Sequence, residues 1–334
     1  MVLNISSRPL FICVFCLMVV NAIWLLATPT RLDFEQMAPW AVITVVLASG
    51  FYICRRIGHR QTHPDHSVHV VGNLFEGLLF LQISWFTLRV LNHLTMTTAL
   101  PMADGLLISW DQKFGLNWIQ YFEWVHSQPL VIRILDLSYT SLTFLSILAL
   151  TGLVVMCQAQ RARYFIETFF VTAVFCILAG MFFPAEAAVV VLVPDLSAYP
   201  NFTTPPGVYH IDHLTALRDP HIPAVLNPEN LPGLVTFPSF HTAGGILLAV
   251  AYWRTAVFIP VSLYSLIMIA STPVSGGHYI IDLIAGAAVA GVVATLIARR
   301  TCYAGLFAPA PLVAEAPKKT PAAAGMSPVS PTHR

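Results

Sequence analysis

Three ionisable side chains stand at the edges of long apolar runs near the C-terminus. His241 lies in Phe237-Pro238-Ser239-Phe240-His241-Thr242, and His278 and Asp282 in Ser271-Thr272-Pro273-Val274-Ser275-Gly276-Gly277-His278-Tyr279-Ile280-Ile281-Asp282. Polar groups are costly inside a membrane and mark function there. His278 and Asp282 are four positions apart, so on a helix they share a face. A carboxylate at that step accepts the proton of one ring nitrogen, fixes the tautomer and makes the other nitrogen a better nucleophile. Gly276 and Gly277 let backbone N–H groups approach an anion, which a helix N-terminus also favours. Pro238 and Ser239 suit a helix start, with the Ser239 hydroxyl as a donor. A nucleophilic histidine, a second histidine as acid and an anion cradle describe phosphoryl transfer, a chemistry that calls for no metal or other cofactor.

Membrane helices have to position these groups. The 334-residue chain is 57% hydrophobic and 10% charged, with mean hydropathy +0.73, outside the range of a soluble domain. A net charge of +1 gives no electrostatic case for nucleic acid. Cys13, Cys16, Cys54, Cys157, Cys176 and Cys302 lie in or beside apolar segments, and the Cys13–Cys16 pair lacks partner ligands. A membrane-thickness window predicts an all-α bundle of about eight spans, near 9–28, 39–54, 70–93, 133–156, 164–183, 236–253, 256–272 and 277–298. Ala27-Thr28-Pro29 is a poor cleavage site, so the first run reads as a retained span. The chain divides into two N-terminal spans with a cytoplasmic loop (1–69), a catalytic membrane domain (70–300) and an Ala- and Pro-rich disordered tail (301–334).

Basic residues set the orientation. Arg8, Arg55, Arg56, Arg60, Arg161, Arg163, Arg254, Arg299, Arg300, Lys318 and Lys319 fall on one side of this topology. Arg31, Lys113, Arg133 and Arg218 fall on the other. The positive-inside rule places both termini in the cytoplasm. His241 and His278 are then separated by one full span and reach the same, extracytoplasmic, face. The outer segment 94–132 mixes Trp110, Trp118, Tyr121, Phe122 and Trp124 with charges and reads as an interfacial helix. The Pro-rich outer segment 184–235 reads as a cap over the site.

These motifs resemble the type-2 phosphatidic acid phosphatase superfamily. Pro238-Ser239-Phe240-His241 resembles its Pro-Ser-x-His segment. The run from Ser271 to Asp282 resembles its Ser-Arg-(five residues)-His-(three residues)-Asp segment, with Thr272 in place of the arginine. The superfamily's Lys-(six residues)-Arg-Pro motif has no counterpart. The resemblance implies a six-helix core in spans three to eight, a phosphohistidine on His278, orientation by Asp282 and proton donation by His241. It also implies a lipid phosphate or phospholipid substrate. The wording around both histidines, with Leu217-Arg218 upstream, is most similar to the inositolphosphotransferase branch, which includes inositol phosphorylceramide synthases. Phosphate contacts are expected from Ser239, Gly277 and Ser271. With Thr272 at the arginine position, a charged phosphate needs another cation. The order of candidates is Arg218, Arg89, Lys113.

Other polar residues have plainer readings. His59, His63, His66 and His69 fit a solvated cytoplasmic loop, and His210, Asp212, His213 and His221 fit outer-loop structure. Glu76 fits a residue paired within the bundle. A transporter or structural membrane protein would place polar groups at the bundle midplane or show repeat symmetry, whereas here they gather at one end.

Overall fold

The computed structural model describes residues 8–60, 66–303 and 306–307. It is a bundle of thirteen α-helices among those residues. The first three are α1 (Arg8–Ala27), α2 (Ala38–Arg60) and α3 (His66–Met96). Five follow up to the long segment 184–235: α4 (Asp104–Lys113), α5 (Trp118–His126), α6 (Pro129–Thr140), α7 (Leu142–Val155) and α8 (Ala159–Gly180). That segment holds α9 (Ala188–Leu192) and α10 (Ile211–Arg218), and α11 (Phe240–Ala251), α12 (Phe258–Ser275) and α13 (Ile280–Ala298) complete the chain. One short parallel pair among the described residues, β1 (Arg31–Leu32) with β2 (Val225–Leu226), ties the α1–α2 connection to segment 184–235.

Six helices are long and apolar enough to cross a membrane: α1, α2 with its leading turn, α3, α8, α12 and α13. The expected span near 133–156 is instead the pair α6 and α7, bent by 58° and a seventh candidate if taken as one. Its break has a local cause. Thr140 and Ser141 donate their hydroxyls to the carbonyls of Asp136 and Ser138, a side-chain substitution that bends helices. The expected span 236–253 contains only the 12 helical residues of α11. At the α-helical rise that is about 18 Å, short of the roughly 30 Å hydrocarbon core. α2 and α3 run beyond their apolar windows, so His59, His66 and His69 sit on helix ends rather than in a loop; His63 lies outside the described residues. Most of the predicted tail also lies outside them. Tyr303, at its start, is buried and donates to Glu167 at 2.6 Å.

The core lies where α3, α7, α8, α11 and α13 meet, around Phe80, Leu150, Phe165 and Leu247. α1 and α2 pack against α3 from outside, and α2 has no buried residue. Membrane helices gain little from excluding lipid, so close approach of small residues matters more. α13 meets the start of α11 in this way: a Cβ added to Gly286 would stand 2.3 Å from the Ser239 carbonyl. The contact lets the Ser239 N–H donate to the Asp282 carbonyl at 3.0 Å. The two motifs are thereby bonded backbone to backbone.

Candidate active site

The Ser239 hydroxyl accepts from the Thr242 N–H at 3.3 Å and caps α11, which starts the helix just before His241. α12 returns antiparallel and ends at Ser275, and α13 starts two residues beyond His278. The His241 and His278 rings face one another with centroids 6.5 Å apart. His278 Nδ1 lies 3.3 Å from Asp282 Oδ2, and both residues are buried. The same oxygen accepts from the Tyr279 N–H at 3.0 Å, which fixes the carboxylate behind the imidazole. A proton on Nδ1 leaves Nε2 as the free nucleophilic nitrogen.

Both histidines line a cavity of about 900 Å³. Much of its wall is apolar, with Leu81, Leu88, Ile166, Phe169 and Phe170 among the lining residues. Arg89 lines it too, its guanidinium 5.0 Å from the centre of the Trp85 ring. No other arginine or lysine among the described residues does so. Arg218 lies elsewhere: it donates to the Leu100 carbonyl at 2.6 Å and lines a separate pocket of about 340 Å³ with Glu186 and Asp219. Lys113 is exposed at the end of α4. Glu76 is buried in α3 and does not line the cavity. Among the described residues no three His, Cys, Asp or Glu side chains group as metal ligands.

The small polar residues of the motifs have backbone duties. Pro273 has no N–H for the Ile269 carbonyl, and the Thr272 hydroxyl donates to that carbonyl instead at 2.8 Å. Thr272 thus repairs a proline break inside α12. The Ser271 hydroxyl donates to the Met268 carbonyl at 2.6 Å, and Ser239 and Ser271 are both fully buried, outside the cavity lining. The expected anion cradle is largely filled by the protein itself. The Gly276 and His278 N–H groups donate to the Thr272 carbonyl, and those of Ile280 and Ile281 to the Asp111 carboxylate at 3.1 and 2.7 Å. Gly277 adopts φ +69°, and a Cβ there would stand 2.6 Å from the Gly207 carbonyl. Its lack of a side chain admits Gly207 of segment 184–235, not an anion.

Several site residues carried no signal in the sequence. The Tyr139 ring stacks on His241 at 4.0 Å, and its hydroxyl lies 2.7 Å from that of Tyr209. The α6–α7 bend brings Tyr139 and Asp136 to the cavity, where Asp136 accepts from Ser275 at 2.6 Å. Segment 94–132, expected to be an interfacial helix, forms α4 and α5 and holds the His278 segment from behind. Trp118 is buried and donates to the His278 carbonyl at 2.9 Å, and Tyr279 donates to Asp104 at 2.8 Å. Burial raises the Asp111 carboxyl above its ordinary value, with the two donated N–H bonds opposing the shift. Burial, then the neighbouring Asp104 charge, raises the Tyr279 phenol and keeps it a donor.

Fold and site together define a helical protein with membrane-length apolar helices, in which His241 and His278 line a largely apolar cavity with Asp282 behind His278. The family model of the PAP2 superfamily matches residues 105–296, more than half of the chain, and the chain belongs to that superfamily. Its members are phosphatases or phosphotransferases. The matched stretch runs from α4 to α13, so α3 brings Arg89 to the cavity from outside it. No curated protein and no solved structure gives a significant match.

Proposed function

We propose that this protein is an integral membrane lipid phosphatase or phosphotransferase working through a phosphohistidine on His278. The observation that carries the reading is the convergence of His241 and His278 on one apolar cavity, with Asp282 behind His278. His278 Nε2 attacks the phosphorus of a lipid phosphate, the bond to the lipid or headgroup oxygen breaks, and His241 protonates the leaving oxygen. Asp282 holds the proton of Nδ1 and stabilises the charge that develops on the ring. Water or an alcohol then attacks the phosphohistidine and returns a proton to His241. The apolar wall suits acyl chains, and the volume lies within the usual range for small-molecule sites. In this reading α11 with its flanking residues completes an eight-span bundle, residues 184–235 act as a cap and the site faces the extracytoplasmic side, a reading supported by the charge asymmetry.

Arg89 is the phosphate-binding cation in this reading, ahead of Arg218. Arg89→Gln is expected to raise KM for a lipid phosphate by about 10–100-fold, in line with loss of a charge-assisted hydrogen bond. Arg218→Gln is expected to leave KM within about threefold, since Arg218 lines a separate pocket and not the cavity of the two histidines. Steady-state kinetics in liposomes separates the two.

Hydrolysis and transfer to a hydroxyl, as in an inositolphosphotransferase, share this first step. Incubating the protein with labelled phosphatidic acid and phosphatidylinositol, with and without acceptor alcohols, distinguishes them. Free phosphate is the expected product of hydrolysis, and a labelled new phosphodiester that of headgroup transfer. Absence of any product across the panel removes the catalytic reading.

A further inference from the structure

His210 is a third histidine of the cavity wall, and the mechanism above leaves it without a task. It stands at the start of α10, almost fully buried, with Nε2 2.7 Å from the Glu186 carbonyl. A carbonyl only accepts, so Nε2 carries the hydrogen and Nδ1 is a bare acceptor. That atom is buried with no partner among the described residues. Buried acceptors of this kind are rare and call for an explanation.

Its position is fixed relative to both histidines of the reaction. Gly207 adopts φ +69° and lies backbone to backbone against Gly277, next to His278. Tyr209 bonds Tyr139, whose ring stacks on His241. The segment 207–210 is thus held at the His278 side by its glycine and at the His241 side by its tyrosine, with His210 following. Burial pushes the His210 pKa down to about 4, with the His278 charge in the same direction, so the ring is neutral at pH 7. A fully ionised phosphate offers only acceptor oxygens and cannot bond to it.

We propose that His210 Nδ1 recognises a hydroxyl of the acceptor that resolves the phosphohistidine, and that this acceptor carries two O–H groups or is water. The proposal rests on the phosphohistidine reading. In the second step the acceptor oxygen bonds to phosphorus and the P–Nε2 bond breaks, its electron pair returning to His278. The acceptor proton goes to His241, which lost its own to the leaving oxygen. One O–H is consumed there. Water keeps a second proton, and a polyol a neighbouring hydroxyl, to donate to His210. A monohydric alcohol has none left.

The test uses the full chain in liposomes, phosphorylated by a labelled short-chain lipid phosphate. Two variants separate recognition from structure. In His210→Gln the amide reaches the Nε2 position, keeping the donor to Glu186 and removing the Nδ1 acceptor. In His210→Asn the amide sits at the Nδ1 position, keeping an acceptor there and losing the donor. Glycerol is expected to capture the labelled phosphoryl group about tenfold better than 1-propanol at equal molarity, reflecting one added hydrogen bond. His210→Gln erases that preference and slows loss of label to water about tenfold, while His210→Asn retains both. An unchanged first release of alcohol shows that the variant site is folded. Equal capture of glycerol and 1-propanol by the unmodified chain overturns the polyol requirement. If neither alcohol captures, label loss to water decides, and an unchanged rate in His210→Gln overturns the proposal. A wild-type-like Gln variant beside an impaired Asn variant assigns His210 a purely structural role. No label on His278 in the unmodified chain, read before any acceptor is added, removes the phosphohistidine reading and this proposal with it.

Discussion

Replacing His278 with alanine is expected to lower turnover of a lipid phosphate by about 10⁴-fold or more, the scale of losing an activated nucleophile. The ring is the only part of the residue in the reaction, and the backbone bonds around it do not need it. The His278 carbonyl still accepts from Trp118, its N–H still donates to Thr272, and Asp111 still holds the start of α13. One new problem arises: Asp282 Oδ2 loses its imidazole partner and keeps only the Tyr279 N–H, while Oδ1 has no partner among the described residues. A buried carboxylate left this way destabilises the fold. The double variant His278→Ala, Asp282→Asn removes the charge and serves as the folding control. Alcohol release and phosphate release are measured for all three proteins. Turnover of either variant within tenfold of the unmodified chain would exclude a phosphohistidine at this position.

Replacing His241 with alanine is expected to slow the first step by about 10²–10⁴-fold, the usual contribution of a general acid. The size should depend on the leaving group. An alkoxide needs a proton as the bond to phosphorus breaks, whereas a nitrophenolate leaves without one. With a nitrophenyl phosphate ester the deficit of His241→Ala in the burst of nitrophenol is expected to shrink to about tenfold or less. The second step needs His241 as base whatever the leaving group, so phosphohistidine accumulates in the variant. Tyr139 stacks on the ring at 4.0 Å and holds it beside His278. Rapid-quench measurement of label on His278 gives both rates. A deficit of equal size with alkyl and nitrophenyl esters would sink the acid assignment and leave His241 a packing residue.

Part of this geometry is legible in the sequence. The i, i+4 spacing of His278 and Asp282 fixes a shared helical face, and 3.3 Å between Nδ1 and Oδ2 is its three-dimensional form. The two crossings between His241 and His278, α11 and α12, permit a common face without making the helices neighbours. Gly286 against the Ser239 carbonyl makes them so. Thr272, read as a departure from an arginine motif, serves Pro273 two carbonyls from where a phosphate contact was sought. That local logic was present in the Thr-Pro dipeptide, but a motif comparison looks at positions, not at missing N–H groups. The segment 94–132 was read from its mixed polarity as interfacial, because composition cannot tell an aromatic facing lipid from Trp118 facing His278.

The sequence by itself determined the medium, the number of long apolar helices to within a few, the pairing of His278 with Asp282 and the superfamily. These depend on hydropathy and on spacing along one helix, which are properties of short stretches. Only the tertiary structure decided which cation shares the cavity, which residues stand behind the histidines and which nitrogen of His210 is left without a partner. Arg89 lies in α3 and Arg218 at the end of α10, and the motif resemblance that puts Arg218 first does not register which of them reaches the cavity. Their order depends on packing between α3, α8 and α10, elements far apart in the chain. Contacts of that range are set by the closure of the whole bundle, and no local pattern encodes them.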